Sequence, residues 1–183
     1  MPTTRKKTVA TMLAGALLAV ASPALAHAQS SPSGDPTARP ASASGELVGA
    51  TRLKNRKSGK YLQAVSTANG ARVVQQSYSD SRLQTWETYT FDGYYTYENS
   101  AAGRNLGIDG ASTASGAAAI IANGSSDLNQ DWERDWTDNG YFRMINHKSG
   151  LCLGISGAST ANGAQAAQFR CDGSTNQQWT SEG

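Results

Sequence analysis

Downstream of residue 45 the chain alternates apolar and polar positions in short runs, each broken by a glycine-bearing turn. Tyr95 and Tyr97 lie two apart behind Asp92-Gly93, and Phe142 and Met144 lie two apart behind Asn139-Gly140. Thr51 and Leu53 hold the same places earlier in the chain. Alternation at period two sends one set of side chains to one face of a strand, and Asp-Gly or Asn-Gly supplies the positive φ of a hairpin turn. Beyond the next turn come Leu62, Leu106 and Leu153, followed two residues on by Ala64, Ile108 and Ile155. A third run opens at Val73, Ala119 and Ala166, and a fourth at Trp86, Trp132 and Trp179. No stretch after the first thirty residues has helical periodicity. The pattern predicts an all-β chain of short strands, four to a unit.

The unit occurs three times. Asn55, Asn99 and Asn146 each stand four residues before Gly59, Gly103 and Gly150, and Gly70, Gly116 and Gly163 each stand sixteen before the tryptophan. Each copy closes on Gln-x-Trp: Gln84/Trp86, Gln130/Trp132 and Gln177/Trp179. The first copy is two residues shorter, in the loop where the others read Gly-Ala-Ser-Thr. The repeats run over about 47–92, 93–139 and 140–183. Propeller closure takes four to eight blades. Three four-stranded units that cannot bury a face alone must instead close on one another about a pseudo-threefold axis, which is a β-trefoil.

Three registered Gln-x-Trp repeats, with Cys152-Leu153 and Tyr61-Leu62 before a Ser-Thr-Ala-Asn-Gly loop and Asn176-Gln177 before the last tryptophan, resemble the ricin-B-type β-trefoil lectins. The resemblance covers residues 47–183. It implies a carbohydrate-binding module, with one shallow pocket per repeat. A pyranose presents an apolar C–H face and a rim of hydroxyls, so a pocket for it needs a flat aromatic ring and planar side chains that make paired hydrogen bonds. In the family these are an Asp after the strand-two Leu, an aromatic six residues past the glycine, and the Asn and Gln before the Trp. Here the Asp positions hold Gln63, Gly107 and Gly154, and the aromatic positions Gln76, Ala122 and Phe169; the Asn positions hold Leu83, Asn129 and Asn176. The third copy, with Phe169, Asn176 and Gln177, is therefore the expected site. The second offers Asn129 and Gln130, with Asp109 two residues beyond Gly107 and so on the same face of an extended strand. Ser156 and Asp172 are the nearby substitutes in the third copy. The three tryptophans are expected in the core.

Composition adds a compartment. Residues 1–28 join Arg5, Lys6 and Lys7 to an apolar run from Val9 to Ala21 and two small-x-small sites ending at Ala26 and Ala28. That is a secretory leader, shorter than the ~20 apolar residues of a membrane span. Residues 29–45, rich in Ser, Pro and Ala, read as a linker or disordered tail, which leaves 46–183 as the folded domain. Of the 16 Lys+Arg and 14 Asp+Glu, three bases belong to the leader, so 13 remain against 14 acids, a net of −1. This gives no global attraction to nucleic acid or an anionic membrane, and the cluster of Arg52, Lys54, Arg56, Lys57 and Lys60 reads as a solvated edge. Cys152 and Cys171, both in the third copy, are expected to pair in an oxidising compartment, closing a loop worth about 3 kcal/mol in the chain-entropy model. The same positions often carry a disulfide within the repeat in the resembled family.

A hydrolase is the first competing class. Beyond the leader, His147 is the one histidine, expected in an exposed turn, and no serine has a nucleophile context. Asp131, Glu133 and Asp135 alternate along one strand face, a row that a carboxylate-pair mechanism could use but that is more often a solvated face. The expectation is a secreted, monomeric, non-catalytic module that takes a polysaccharide or glycan, with no cofactor, metal, nucleic acid or membrane. The alternative on the same scaffold is a protein-binding trefoil whose sugar positions have degenerated.

Overall fold

A computed structural model describes residues 45–183; the leader expected at 1–28 and, apart from Gly45, the linker at 29–45 fall outside the described residues. The strands are β1 (Glu46–Asn55), β2 (Tyr61–Ala64), β3 (Val73–Gln76) and β4 (Trp86–Phe91) in the first repeat. The second holds β5 (Tyr94–Asn99), β6 (Arg104–Ile108), β7 (Ala119–Ala122) and β8 (Trp132–Trp136). The third holds β9 (Phe142–Asn146), β10 (Cys152–Ile155), β11 (Ala166–Phe169) and β12 (Gln178–Glu182). Antiparallel pairing runs β1–β4–β5–β8–β9–β12 and back to β1, which closes a six-stranded barrel without an edge. The hairpins β2–β3, β6–β7 and β10–β11 stand on this barrel. The chain is a β-trefoil.

The turns follow the sequence chemistry with one difference. Asp92-Gly93 joins β4 to β5 as a two-residue turn with φ of 49° and 81°, the left-handed pair that matches strand twist. Asn139-Gly140 lies instead in a five-residue loop between Trp136 and Phe142, closed by the Thr137 N–H donating to the Tyr141 carbonyl at 2.8 Å.

Core positions fall where the alternation puts them. Trp86, Trp132 and Trp179 are fully buried together with Leu53, Leu62, Leu106, Leu153, Phe142 and Met144. Each indole Nε1–H donates to the carbonyl of its own repeat's leucine, at 3.1 Å to Leu62, 3.1 Å to Leu106 and 3.0 Å to Leu153, so no tryptophan donor is left unmet in the core. Tyr95 is only half-buried, unlike Tyr97. The guanidinium carbon of Arg134 lies 4.4 Å from its ring centroid, so a cation covers the face that an apolar neighbour would otherwise cover.

The repeats are tied to each other by repeated bonds that the linear pattern leaves unassigned. Asn55, Asn99 and Asn146 are buried, and each donates Nδ2–H across a repeat boundary, to the carbonyls of Asn176, Leu83 and Asn129, at 2.9 Å in all three cases. Each Oδ1 meanwhile accepts from backbone N–H groups of its own following turn. At the hairpin end a second cycle runs Gly70 N–H to the Ile121 carbonyl, Gly116 to Gln168 and Gly163 to Gln75. Inside it the Gln165 Nε2 amide donates to three symmetry-equivalent carbonyls, Val73 at 2.9 Å, Ala119 at 3.0 Å and Ala166 at 2.7 Å. One side chain from one repeat thus caps carbonyls from all three.

Cys152 and Cys171 form a disulfide with Cα atoms 5.1 Å apart. The same two register positions are Tyr61 and Tyr78 in the first repeat and Asn105 and Gly124 in the second. The tyrosine rings meet edge to face with centroids 5.5 Å apart, whereas a Cβ built on Gly124 would lie 3.4 Å from the Asn105 Nδ2. A covalent bond fills this structural place in the third repeat and an aromatic pair fills it in the first, whereas the second has only a glycine there.

Candidate functional site

An open cleft of about 450 Å³ lies on the third repeat. Its walls are the end of β11, the 3-10 turns Ser156–Ala158 and Thr175–Gln177, and the 170–174 loop between them. Phe169, the last residue of β11, is half-buried in this wall, opposite Cys152 across the β10–β11 ladder. Ala158 adopts a φ of 49° and bends the Ser156–Ala158 turn. Ser115, from the second repeat, reaches the rim.

The polar groups divide into those already bonded within the fold and those that face the cleft. Asn176 is buried; its Nδ2 donates to the Ile155 carbonyl at 3.3 Å and its Oδ1 accepts from the Ser174 hydroxyl at 2.7 Å. The Gln177 Nε2 donates to the Arg170 carbonyl at 3.0 Å and its Oε1 accepts from the Asp172 N–H at 3.2 Å, so this amide braces the 170–172 loop. Asp172 is exposed on the cleft wall and accepts from the Ser174 N–H at 2.8 Å. The Ser174 hydroxyl and N–H beside it hold its carboxyl below the usual value of 3.8, so it is ionised at neutral pH. Phe169, Asn176, Gln177 and Asp172 therefore line one cleft. Arg170 and Ser174, which motif matching passes over, also line it; their place between β11 and the Gln-x-Trp turn was the available signal.

Gly154 is buried behind this cleft. A Cβ there would stand 2.9 Å from the Gln177 Cγ and 3.4 Å from the Asn176 Nδ2, so the glutamine stem occupies the space a carboxylate side chain would take. Gly107 repeats the arrangement, with a Cβ 3.0 Å from the Gln130 Cγ. In the first repeat Gln63 fills the place, and its Oε1 accepts from the Gln84 Nε2 at 2.9 Å.

The second-repeat residues are arranged in the same way but without a ring. Asn129 donates to the Ile108 carbonyl at 3.0 Å. Gln130 donates to the Asn123 carbonyl at 2.9 Å and accepts from the Ser125 N–H at 3.2 Å and the Asn105 Nδ2 at 3.0 Å. Asp109 does not continue β6. The strand stops at Ile108 and Asp109 opens an exposed 3-10 turn, Asp109–Ala111, so the two-residue alternation from Gly107 ends before it reaches the carboxylate. Ala122 supplies no aromatic surface.

The groups weighed for catalysis are dispersed. His147 is half-buried, its ring stacked on Tyr94 with centroids 3.7 Å apart, in place of the exposed position expected for a turn. Asp131 is buried and accepts from the Thr96 hydroxyl at 3.0 Å, Glu133 is exposed, and Asp135 pairs with Arg143. Two of the clustered basic residues are partnered: Lys54 with Glu182 at 3.0 Å, and Arg56 over the Tyr141 ring at 4.7 Å. Among the described residues no group of three or more His, Cys, Asp or Glu could hold a metal ion, and no helix is long and apolar enough to cross a membrane.

A family model described as ricin-type beta-trefoil lectin domain matches residues 49–180. Among solved structures, the designed threefold-symmetric protein ThreeFoil is 36% identical, with a TM-score of 0.72, over 73% of this chain and 98% of that one. An exo-beta-1,3-galactanase from Clostridium thermocellum is 28% identical with a TM-score of 0.71, over 73% of this chain; the match spans only 30% of the galactanase. The ricin B-like lectin of Macrolepiota procera, solved in complex with lactose, shares the fold at 22% identity and a TM-score of 0.64, over 76% of this chain and 96% of the lectin. Among curated proteins there is no match.

Proposed function

The chain belongs to the ricin-type β-trefoil lectin family, and from that premise we propose that it is a secreted, non-catalytic module that binds glycan or polysaccharide through the cleft of its third repeat. The observation that carries this reading is that Phe169, alone of the three equivalent positions an aromatic, lines the same cleft as Asn176 and the ionised Asp172. The ring covers the C–H face of a pyranose, and the Asp172 carboxylate accepts from hydroxyls on its rim. Asp172 thus stands in for the carboxylate that Gly154 cannot supply. Gln177 acts through the loop: its two backbone bonds hold residues 170–172 in place before the sugar arrives, which lowers the ordering cost of binding.

Secretion is supported by the leader pattern of residues 1–28 and by the disulfide between Cys152 and Cys171. The non-catalytic reading is supported by the dispersal of His147, Asp131 and Asp135 among separate structural contacts. Galactosides are the first ligands to try, because a galactanase and a lactose-bound lectin are among the similar structures. The test is equilibrium titration of lactose, a soluble β-1,3-galactan and a panel of other neutral oligosaccharides into the intact protein, Phe169→Ala and Asp172→Asn. Each substitution should weaken binding by at least about tenfold with unfolding temperature nearly unchanged. Parent-like binding by Phe169→Ala, or no binding to any member of the panel, overturns the reading.

A further inference from the structure

The first repeat keeps Gln84 but has Gln76, Ser79 and Leu83 where the third has Phe169, Asp172 and Asn176, yet its flank carries a different aromatic arrangement. Tyr78 follows β3, and 58% of its surface is in solvent, one of the most exposed large hydrophobic residues among those described. Its register counterparts are Cys171 and Gly124, so the fold does not need a ring here: in the second repeat a glycine suffices. What holds the Tyr78 ring is specific. It meets Tyr61 edge to face, with centroids 5.5 Å apart and an interplanar angle of 66°. Tyr61 is itself buried, and its hydroxyl donates to the Glu182 carboxylate at 2.7 Å. The Arg52 guanidinium carbon lies over the Tyr78 ring, 5.4 Å from the centroid. The Tyr78 hydroxyl donates to the Asp80 Oδ1 at 2.6 Å.

Two features of this cluster are left open. The Tyr61 and Arg52 contacts still leave Tyr78 largely in solvent. Asp80 is exposed, and its Oδ2 makes no hydrogen bond among the described residues. Arg52 serves as support for the ring: its guanidinium lies over Tyr78, and its Nε is buried, with no hydrogen-bond partner among the described residues. A braced flat ring and a carboxylate at its phenolic edge are components of a pyranose site: an apolar plate and an acceptor for vicinal hydroxyls.

We infer that Tyr78 and Asp80, with Arg52 bracing the ring, form a second carbohydrate-contact site, on the flank of the first repeat, that takes a neutral hexose unit. The site lies outside the pocket register of the repeats, since Tyr78 stands at the disulfide position and not at the aromatic position, which is Gln76. It rests on the reading of the chain as a carbohydrate-binding module but not on the third-repeat cleft. A polymer chain that touches two repeats gains retention through effective concentration, without either contact being tight alone.

The test is two-dimensional NMR of the intact protein, following the Tyr78 ring, the Arg52 Nε–H and the Phe169 ring as lactose, cellobiose and chitobiose are added separately at millimolar concentration. The expected result is that at least one sugar shifts both the Tyr78/Arg52 signals and the Phe169 signals. Asp80→Asn should raise the dissociation constant read from the Tyr78 signals by at least about tenfold, leaving the Phe169 titration unchanged. Tyr78→Ala should abolish the Arg52 shift, while Phe169→Ala should leave it intact. Shifts confined to Phe169 overturn the second site and leave the first standing. Shifts confined to Tyr78 and Arg52 support the second site and overturn the third-repeat reading. Silence at both positions with all three sugars overturns both. Because Tyr78 and Asp80 are exposed, unfolding temperatures of the variants within a few degrees of the parent separate loss of contact from loss of fold.

Discussion

Replacing Gln165 with leucine tests whether the pseudo-threefold axis is held by a single amide. In the native fold the Nε2 group serves the carbonyls of Val73, Ala119 and Ala166 at 2.9, 3.0 and 2.7 Å. Two hydrogens supply two full bonds, shared over three acceptors. Leucine keeps most of the volume but removes both donors, leaving carbonyls of three buried residues, from three strands, converging without this partner. An intramolecular hydrogen bond contributes about 1 kcal/mol net, and an acceptor left unmet costs about 1–3 kcal/mol. The gain in apolar burial offsets part of this, so the expected loss is about 2–3 kcal/mol. For a domain of this size each kcal/mol lowers Tm by about 3–4 °C, which puts the change at roughly 6–12 °C. Urea unfolding followed by fluorescence of the three buried tryptophans measures it, with an unchanged m-value as the sign that the denatured state is not the cause. A second variant sharpens the test. Ala118 is the register equivalent of Gln165 in the second repeat, so adding Ala118→Gln to Gln165→Leu should return an amide to the same carbonyls and recover at least about half of the loss. A loss below about 0.5 kcal/mol, or no recovery in the double variant, would refute the reasoning.

Two further outcomes follow from the geometry. The Tyr61 hydroxyl and then Lys54 hold the Glu182 carboxyl below its usual value of 4.5; a depressed folded value stabilises above the unfolded value and is lost as pH falls through the folded one. Glu182→Gln should therefore melt slightly below the parent at pH 7, with the gap closing in acid and shrinking in high salt, since both partners are partly exposed; a gap independent of pH from 7 to about 3 would contradict the assignment. Gly154→Ala should lose about 1–3 kcal/mol in chemical denaturation because its Cβ would press 2.9 Å from the Gln177 Cγ, whereas Gly124→Ala, with its nearest contact at 3.4 Å, should be close to neutral.

The candidate site was legible in part. Phe169, Asn176 and Gln177 stand at family positions that the repeat register finds by counting, and they line one cleft. Asp172 was visible only as a nearby carboxylate; its entry into the wall depends on the 170–174 loop, whose path is set by Gln177 and Ser174. Asp109 shows the opposite case: two-residue alternation holds only while the strand lasts, and β6 stops at Ile108. Tyr78 lies outside every sugar-binding pattern of the repeat, and its setting becomes visible only when Arg52 and Tyr61 arrive from elsewhere in the chain.

What the amino-acid sequence determined alone is everything that depends on near neighbours: the threefold repeat, four short strands per copy, the glycine turns, the three core tryptophans and the two cysteines within one copy. Period-two burial and positive-φ turns are local demands, and a sequence states them directly. The tertiary structure decided what depends on closure. Asn55, Asn99 and Asn146 mark the repeats, but only the assembled barrel shows that each one stitches its repeat to the preceding one in the cycle. Gln165 looks like an ordinary polar residue until three carbonyls from three repeats converge on it. Buried carbonyls must find donors wherever the chain brings them, and that requirement has no period in the sequence to announce it.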